Sequence, residues 1–499
     1  MVNGRRAGVL LPVFSLPGPW GIGCFSRHAR EFVEQLAEAG QSIWQILPLG
    51  PTGFGDSPYQ SFSTFAGNPL FMDLDHLVDE GLLARAELLD LDWGADATAV
   101  DYGALYSSRQ RALRLAHSRA GDFTADSGYQ GFVASTGGWL DEYALFMTVK
   151  GSQGQRSWTQ WPEPLRRRVP DALDSVRVEH AVELSFHLWA QWQFARQWRE
   201  LHSFAADAGV QLLGDLPIYV AMDSADTWAH PEQFDLDERL LPREVAGVPP
   251  DGFSATGQLW GNPLYDWPMH RATGFGWWIE RLRHQLAQFD LLRLDHFRGL
   301  EAYYAVPADA PDASGGQWRP GPGSGFFQAL RDGLGELPLV AEDLGYLTDA
   351  VRVLREDAGL PGMQIIQFAF DSREPADYWP HNFVRNTVVY TGTHDNPTLA
   401  EWFTTLSPAD QRRAHTYLNN WWTPPEQLAW DFICEALRSV ADTCIVPMAD
   451  YLGLGAEARI NTPATAQGNW RWRMRAEALT PPLVGRMAEL TRLVERSTR

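Results

Sequence analysis

The chain reads as an α/β protein, a (β/α)8 TIM barrel with subdomains inserted between its strands. Three observations predict this. Eight short apolar runs are continuous rather than alternating, the pattern of strands covered on both faces of a parallel sheet. Helical periodicities fall between them, and most of the runs end in a polar cluster, where the rim of such a barrel carries its chemistry. A doubly wound open sheet is the competing arrangement and would want a phosphate-binding first turn. The turn after the first run is "GPWGIGCFS", whose G-x-G is followed by Cys24, Phe25 and Ser26 in place of x-x-G, which disfavours it.

In order, the runs are "GVLLPV" from Gly8, "SIWQILPLG" from Ser42, "VQLLGDLPIYV" from Val210, "FDLLRLDH" from Phe289, "LPLVAEDLG" from Leu337, "MQIIQFAFD" from Met363, "NTVVYTGTHDN" from Asn386 and "DTCIVPMADYLG" from Asp442. Helix is predicted from Arg27 to Ala39, from Trp277 to Gln288 and from Leu347 to Ala358. The gaps from the second run to the third and from the third to the fourth far exceed a single crossover helix. They predict a mostly helical insertion at 67–200 and a second at 221–285, with a short one at 300–325, all within a single catalytic barrel spanning 1–499. The segment "HPEQFDLDERLLPREVAGVPPDGFSATGQLWGNPLYDW" is rich in Pro, Gly and aromatics with little periodicity. It reads as a long loop over the barrel mouth, with an active-site loop at 245–262.

Composition narrows the partners. A formal charge of -21 disfavours nucleic acid and anionic membrane surfaces, so a neutral ligand fits better. No run approaches the roughly 18 apolar residues of a membrane helix, and the stretch near the start is broken by Pro12 and Pro17, so a cytoplasmic location is expected. Cys24, Cys434 and Cys444 make no disulfide framework, and the 13 histidines hold no H-E-x-x-H; no metal and no cofactor is expected. Lys150 is the only lysine. Of the 22 tryptophans, those at helical spacing are core; those in polar, glycine-rich loops suit the faces of sugar rings.

The strand ends supply four acids, Asp215, Asp295, Glu342 and Asp395. Any one of them, taken singly, reads first as an ion pair. Four at the ends of such runs point to catalysis. Arg293, two residues before Asp295, shares its face of the strand and holds that carboxylate ionised, which makes it a nucleophile. Glu342, near that charge, is expected to have a raised pKa and to donate a proton, the division of labour in a retaining glycosidase. Asp395, flanked by His394, is a third acid able to bind a sugar hydroxyl and favour a distorted ring. His296 and His394 read equally well as satisfied loop histidines.

Through "RLDHFRG", "AEDLG", "GTHDN", "WQILPLGPTGFGDSPYQSFSTFAGNP", "GDLPIYV", "GQLWGNPLYDW" and "NTPATAQGNWRWR", the chain closely resembles the amylomaltase family of 4-α-glucanotransferases, relatives of the α-amylases. The resemblance runs from about Leu10 to Arg473. It implies a (β/α)8 barrel without a C-terminal β-domain. It also implies Asp295 as the nucleophile of a β-glucosyl-enzyme, Glu342 as general acid and base, and Asp395 as transition-state stabiliser. Arg293, His394 and Asp215 would line the donor subsite, with Tyr59, Ser57, Trp260, Gln258, His296, Asp371 and Asn461 as further glucan contacts. The implied partners are α-1,4-glucan donors and acceptors, that is maltooligosaccharides, amylose and starch or glycogen chains, handled by a monomer or weak dimer. The expected reaction moves glucan segments between them by a retaining double displacement and cyclises long ones, with Asp295 and Glu342 about 5 to 5.5 Å apart. The rivals are an α-1,4-glucan hydrolase with the same acids, and a non-catalytic glucan-binding protein, which the intact trio disfavours.

Overall fold

The computed structural model describes residues 4–53, 55–250, 254–345, 347–372, 378–424, 427–465 and 467–497. Its strands, in chain order, are β1 (Arg6–Leu10), β2 (Ile43–Gln45), β3 (Gln211–Leu216), β4 (Glu244–Val248), β5 (Gln258–Pro263), β6 (Leu291–Leu294), β7 (Ala302–Pro307), β8 (Gln317–Pro320), β9 (Leu339–Ala341), β10 (Gly362–Ile365), β11 (Thr387–Tyr390) and β12 (Thr443–Pro447). Eight of them form one parallel sheet in the order β10-β11-β12-β1-β2-β3-β6-β9. The Ala341 N–H, at the end of β9, donates to the Pro361 carbonyl just before β10 at 2.9 Å. That bond brings the two edge strands together and curls the sheet into a (β/α)8 barrel.

Each of the eight apolar runs is a barrel strand, and their continuity follows from double coverage. Alternate side chains turn inward, where Leu10, Ile43, Leu213, Val340, Met363, Ile365, Val388, Tyr390 and Ile445 pack in layers. The intervening residues, among them Val9, Leu212, Leu292, Leu294 and Val446, meet the helices outside. The helix Arg27–Glu38 is typical of that outer ring. Ser26 caps it by accepting from the His28 N–H, and Ala29, Phe32, Val33 and Leu36 form its buried stripe, with Phe32 edge-on to Trp44 at 5.2 Å. Burying a side chain such as Phe32 contributes roughly 2 to 3 kcal/mol, which is why the stripe rather than helix propensity holds it in place. The helices predicted near 277 and 347 are Gly276–Leu286 and Asp349–Asp357.

Between β2 and β3 the chain is helical, including Tyr102–Arg119, Trp139–Ser152, Pro170–Glu179 and Ala181–Asp207. A separate cluster of Tyr143, Phe146, Val149, Trp158, Trp161, Leu173 and Val176 joins this segment to Trp228, beyond β3. Lys150, 2% exposed, seals the junction: its Nζ pairs with Asp223 at 2.5 Å and lies 4.8 Å from the Phe62 ring centroid. At the opposite end of the barrel, the fully buried Arg496 donates to the carbonyls of Arg6, Leu437, Ser439, Ala441 and Asp442 at 2.7 to 3.3 Å, gathering the amino ends of β1 and β12. Among the described residues, no helix is long and apolar enough to cross a membrane.

The stretch expected to be a long loop is in large part a hairpin. β4 and β5 pair antiparallel, and with β7 and β8 they build a second sheet in the order β5-β4-β7-β8. Residues 251–253 of the expected loop 245–262 lie outside the described residues. The strands escape a pattern search for two reasons. Their register shifts between Val245 and Gly247, which breaks the alternation, and only Val245, Tyr304, Val306 and Ala313 form their core. This sheet stands over the barrel mouth, because β7 follows directly from the turn that ends β6.

Candidate active site

Strand register assembles the site. Leu216, Leu294 and Ala341 lie in one row across β3, β6 and β9, and Asp215, Arg293 and Val340 in the row beneath. The period of two therefore points Asp215 and Arg293 side by side into the barrel. Asp295 and Glu342 come one residue past the upper row, at the mouth. The ladder continues through both: Asp295 N–H donates to Leu216 O and Glu342 N–H to Leu294 O, each at 3.0 Å.

Arg293, 4% exposed, organises the acids. Its Nη1 reaches both Asp215 oxygens at 2.8 and 2.7 Å, and its Nη2 reaches Asp295 Oδ1 at 2.9 Å. Burial works against its charge, yet the two carboxylates hold its pKa well above the ordinary value. The same burial pushes Asp295 upward, and the guanidinium contact opposes that push. Glu342 is lifted to about 8 by burial and by the neighbouring Asp295, with Arg293 again opposing. A proton shared by this pair of carboxyls therefore resides on Glu342, since the directly paired Asp295 gains most from being ionised.

A left-handed residue fixes Glu342. His296 has φ of 47°, and this turn aims its N–H at Glu342 Oε2 at 2.8 Å, while the next N–H, of Phe297, meets the Glu342 carbonyl at 3.0 Å. Leu344 N–H holds Oε1 at 3.2 Å. Gly299 completes the turn: a Cβ there would stand 3.1 Å from the His296 ring and 2.9 Å from Ile218. The His296 imidazole, lowered to about 4 by burial and hence neutral, packs edge-on to Trp260 at 4.8 Å, and its Nε2 has no hydrogen-bond partner among the described residues. Trp260 sits on β5, with Nε1 donating to Gln258 Oε1 at 3.2 Å.

A second chain of bonds leads to the third acid. The Tyr59 hydroxyl donates to Asp215 Oδ2 at 2.7 Å and lies 2.9 Å from His394 Nε2, with the two rings stacked 5.3 Å apart. That hydroxyl has only one proton, so Nε2 of His394 must carry the other. Burial lowers the His394 pKa and keeps the ring neutral. Asp395 Oδ2 is 3.4 Å from the same Nε2, and its Oδ1 accepts from Asn461 Nδ2 at 2.6 Å. Ser57 shapes the turn that presents Tyr59, accepting from the Tyr59 N–H at 3.3 Å.

Twelve of the thirteen residues read from the sequence thus fall into two networks joined through the Asp295–His296 backbone. Asp371, half-buried, lies farther round the rim beyond β10. Sequence reasoning missed Trp470, whose ring packs 5.9 Å from Tyr59 and 6.0 Å from His394, and the Gln60–Asn262 bond of 3.0 Å that ties the loop after β2 to β5. A groove of about 1440 Å³ lined by Asp56, Tyr102, Tyr106 and Arg471 lies beside this centre, and none of the acids lines it. Chemistry rather than volume marks the candidate active site here. Among the described residues, no cluster of His, Cys, Asp and Glu could hold a metal ion.

The arrangement can hold one carboxylate ionised against a guanidinium and a second carboxyl protonated near neutral pH, with neutral donors around them. The chain matches the 4-alpha-glucanotransferase family over residues 11–480. It is 45% identical over 500 residues to a 4-alpha-glucanotransferase of Thermus thermophilus, covering 99% of each chain, and 43% identical to one of Streptococcus pneumoniae, covering 99% of this chain and 97% of that one. Among solved structures, an amylomaltase from Streptococcus agalactiae in complex with acarbose superposes with a TM-score of 0.95 at 38% identity, covering 99% of this chain and all of that one. Family match, full-length identity and shared architecture agree, and the chain belongs to the 4-α-glucanotransferase family and is a transferase of that activity.

Proposed function

We propose that this enzyme transfers α-1,4-linked glucan segments by a retaining double displacement through a covalent glucosyl-enzyme. The observation that carries the reading is the division between two carboxyls: Asp295 ion-paired to Arg293 at 2.9 Å, and Glu342 buried with its pKa raised to about 8. In the first step Glu342 gives its proton to the glycosidic oxygen as an Asp295 oxygen attacks the anomeric carbon. The leaving chain departs with a free 4-hydroxyl, and a glucosyl ester remains. In the second step Glu342, now ionised, takes the proton of an acceptor 4-hydroxyl as that oxygen displaces Asp295. Inversion twice over retains the α-linkage. The reading requires Asp295 and Glu342 about 5 to 5.5 Å apart.

Arg293, Asp215, Tyr59 and His394 are read as the donor subsite, Asp395 with Asn461 as the pair that holds a ring hydroxyl as the sugar flattens, and Trp260, Gln258, His296, Ser57 and Asp371 as further contacts. The segments 67–200, 221–285 and 300–325 are read as insertions into one catalytic barrel. The hairpin β4–β5 over the mouth, with Trp260 against His296, favours a sugar acceptor over water. Three unpaired cysteines are consistent with a reducing, cytoplasmic setting, where maltooligosaccharides and amylose would serve as donor and acceptor to a monomer or weak dimer.

The test is a product profile from pure maltotriose without nucleotide, phosphate or metal. Longer maltooligosaccharides appearing with glucose at a constant number of reducing ends are expected. Rising reducing ends without longer products would assign the chemistry to hydrolysis instead.

A further inference from the structure

Two neighbouring tryptophans, far from the acids in sequence, are left in water. Trp421 is 53% and Trp422 80% exposed, and they follow directly on the helix Pro408–Leu418, in "LNNWWTP". Exposed indole is costly, and nearly all the other tryptophans are covered or half-covered. The pair is also held in place. The Asn420 side chain accepts from the N–H groups of Trp422 at 3.3 Å and Thr423 at 3.1 Å and donates to Thr423 Oγ1 at 2.7 Å. His415 backs one face of Trp421, its ring 5.3 Å away and 20° from parallel, and its own Nδ1 is fixed by the Asn420 carbonyl at 2.6 Å. One face of Trp421 is thereby left as a supported platform.

The position is on the catalytic side of the barrel. The next helix, Ala429–Arg438, carries Trp430 in its first turn, and that ring packs 5.6 Å from Tyr451, in the short helix that follows the carboxyl end of β12. The loop before that helix therefore stands at the rim that carries Asp295, Glu342 and Asp395. An aromatic track runs toward it along the helix Pro408–Leu418. Trp379 lies 4.9 Å and His381 5.7 Å from the Tyr417 ring, and Ser372, next to Asp371, bonds Asp410 at 3.4 Å.

We propose that Trp421 and Trp422 form a second glucan-binding platform, at the rim, which stacks pyranose faces of a long α-1,4-glucan while its end is worked on at the acids. This rests on the glucan-transfer reading of the site. The neighbours, Asn419, Asn420 and Thr423, are uncharged donors and acceptors, the chemistry that suits sugar hydroxyls rather than an ionic partner. A second copy of the chain is the poorer occupant. Two rings fall well short of the roughly 1,000 Å² that a stable interface needs, and a charge of -21 sets copies against each other.

The experiment compares the parent, the double variant Trp421→Ala/Trp422→Ala, and Trp422→Tyr. Rates are measured on maltotriose and on amylose, and amylose affinity by native gel retardation in the Asp295→Asn background, where chain lengths stay fixed. Expected are unchanged maltotriose rates in all three, a fall of about three- to tenfold in amylose kcat/KM carried by KM in the double variant, a matching loss of retardation, and recovery of most of both in Trp422→Tyr. Unchanged retardation by the double variant would overturn the platform. So would an equal loss on maltotriose and amylose, or a parent dimer that the double variant dissociates, which would give the patch to a second copy. A parent that retards on amylose but leaves maltotriose unaltered would sink the transfer reading and not the platform.

Discussion

At the scale of the residue, the proposed chemistry turns on one guanidinium and one buried carboxyl. Replacing Asp295 by Asn removes the proposed nucleophile and is expected to cut turnover of maltotriose by about 10³-fold or more while calorimetric affinity for maltooligosaccharides stays within a few-fold. Glu342 gives a pH prediction with a definite sign. Its pKa in the fold is about 8, above the unfolded carboxyl at about 4.3, so the folded state holds the proton more tightly. That contribution to stability is complete below about pH 4.3 and is lost as pH rises through about 8. Glu342→Gln cannot ionise and escapes the loss. It should melt higher than the parent at pH 8 by about 1 to 3 °C, converge with it near pH 4, and be nearly inactive; a variant that melts lower at pH 8 would contradict the assignment. In the parent, kcat/KM should fall as pH rises past about 8, when the acid is lost. The acids were legible because each ends an apolar strand. Trp470 and Asn262 were not, because they act by touching Tyr59, His394 and Gln60, partners that no local pattern connects.

At the scale of the element, the barrel strands were legible for the reason that makes them stable: both faces are covered, so every residue from Leu212 to Leu213, or Val388 to Val389, is apolar. The hairpin β4–β5 was not, since a rim sheet with a bulge and a small core leaves no period to read. Its service to the site is Trp260. Trp260→Ala removes the edge contact with His296, and KM for maltotriose should rise about tenfold with a smaller change in kcat, as expected of a contact that holds substrate and transition state alike. The helical segment after β2 is held by its apolar cluster and by the buried ion pair of Lys150 with Asp223. Lys150→Met leaves Asp223, about a third exposed, without its cation, and should destabilise by about 2 to 4 kcal/mol, read as a lowered urea midpoint.

At the scale of the molecule, the barrel is closed twice, by the ladder from Ala341 to Pro361 and by Arg496 at the far end. Arg496→Ala removes the guanidinium shared by five carbonyls, of which Leu437 O keeps Arg5 Nη2 and Asp442 O keeps the Arg6 N–H, and should lower the urea midpoint by the equivalent of about 2 to 4 kcal/mol while the initial rate at 25 °C is unchanged. The whole surface also carries a less obvious property. Its basic side chains are arginines, and the one amine among them, on Lys150, is 2% exposed and engaged with Asp223. Aldehydes, including the open-chain form of glucose, condense with amines and not readily with guanidinium. A protein that works among reducing sugars here presents them with no accessible lysine, and glutaraldehyde or succinimidyl coupling will likewise find no side-chain handle on its folded surface.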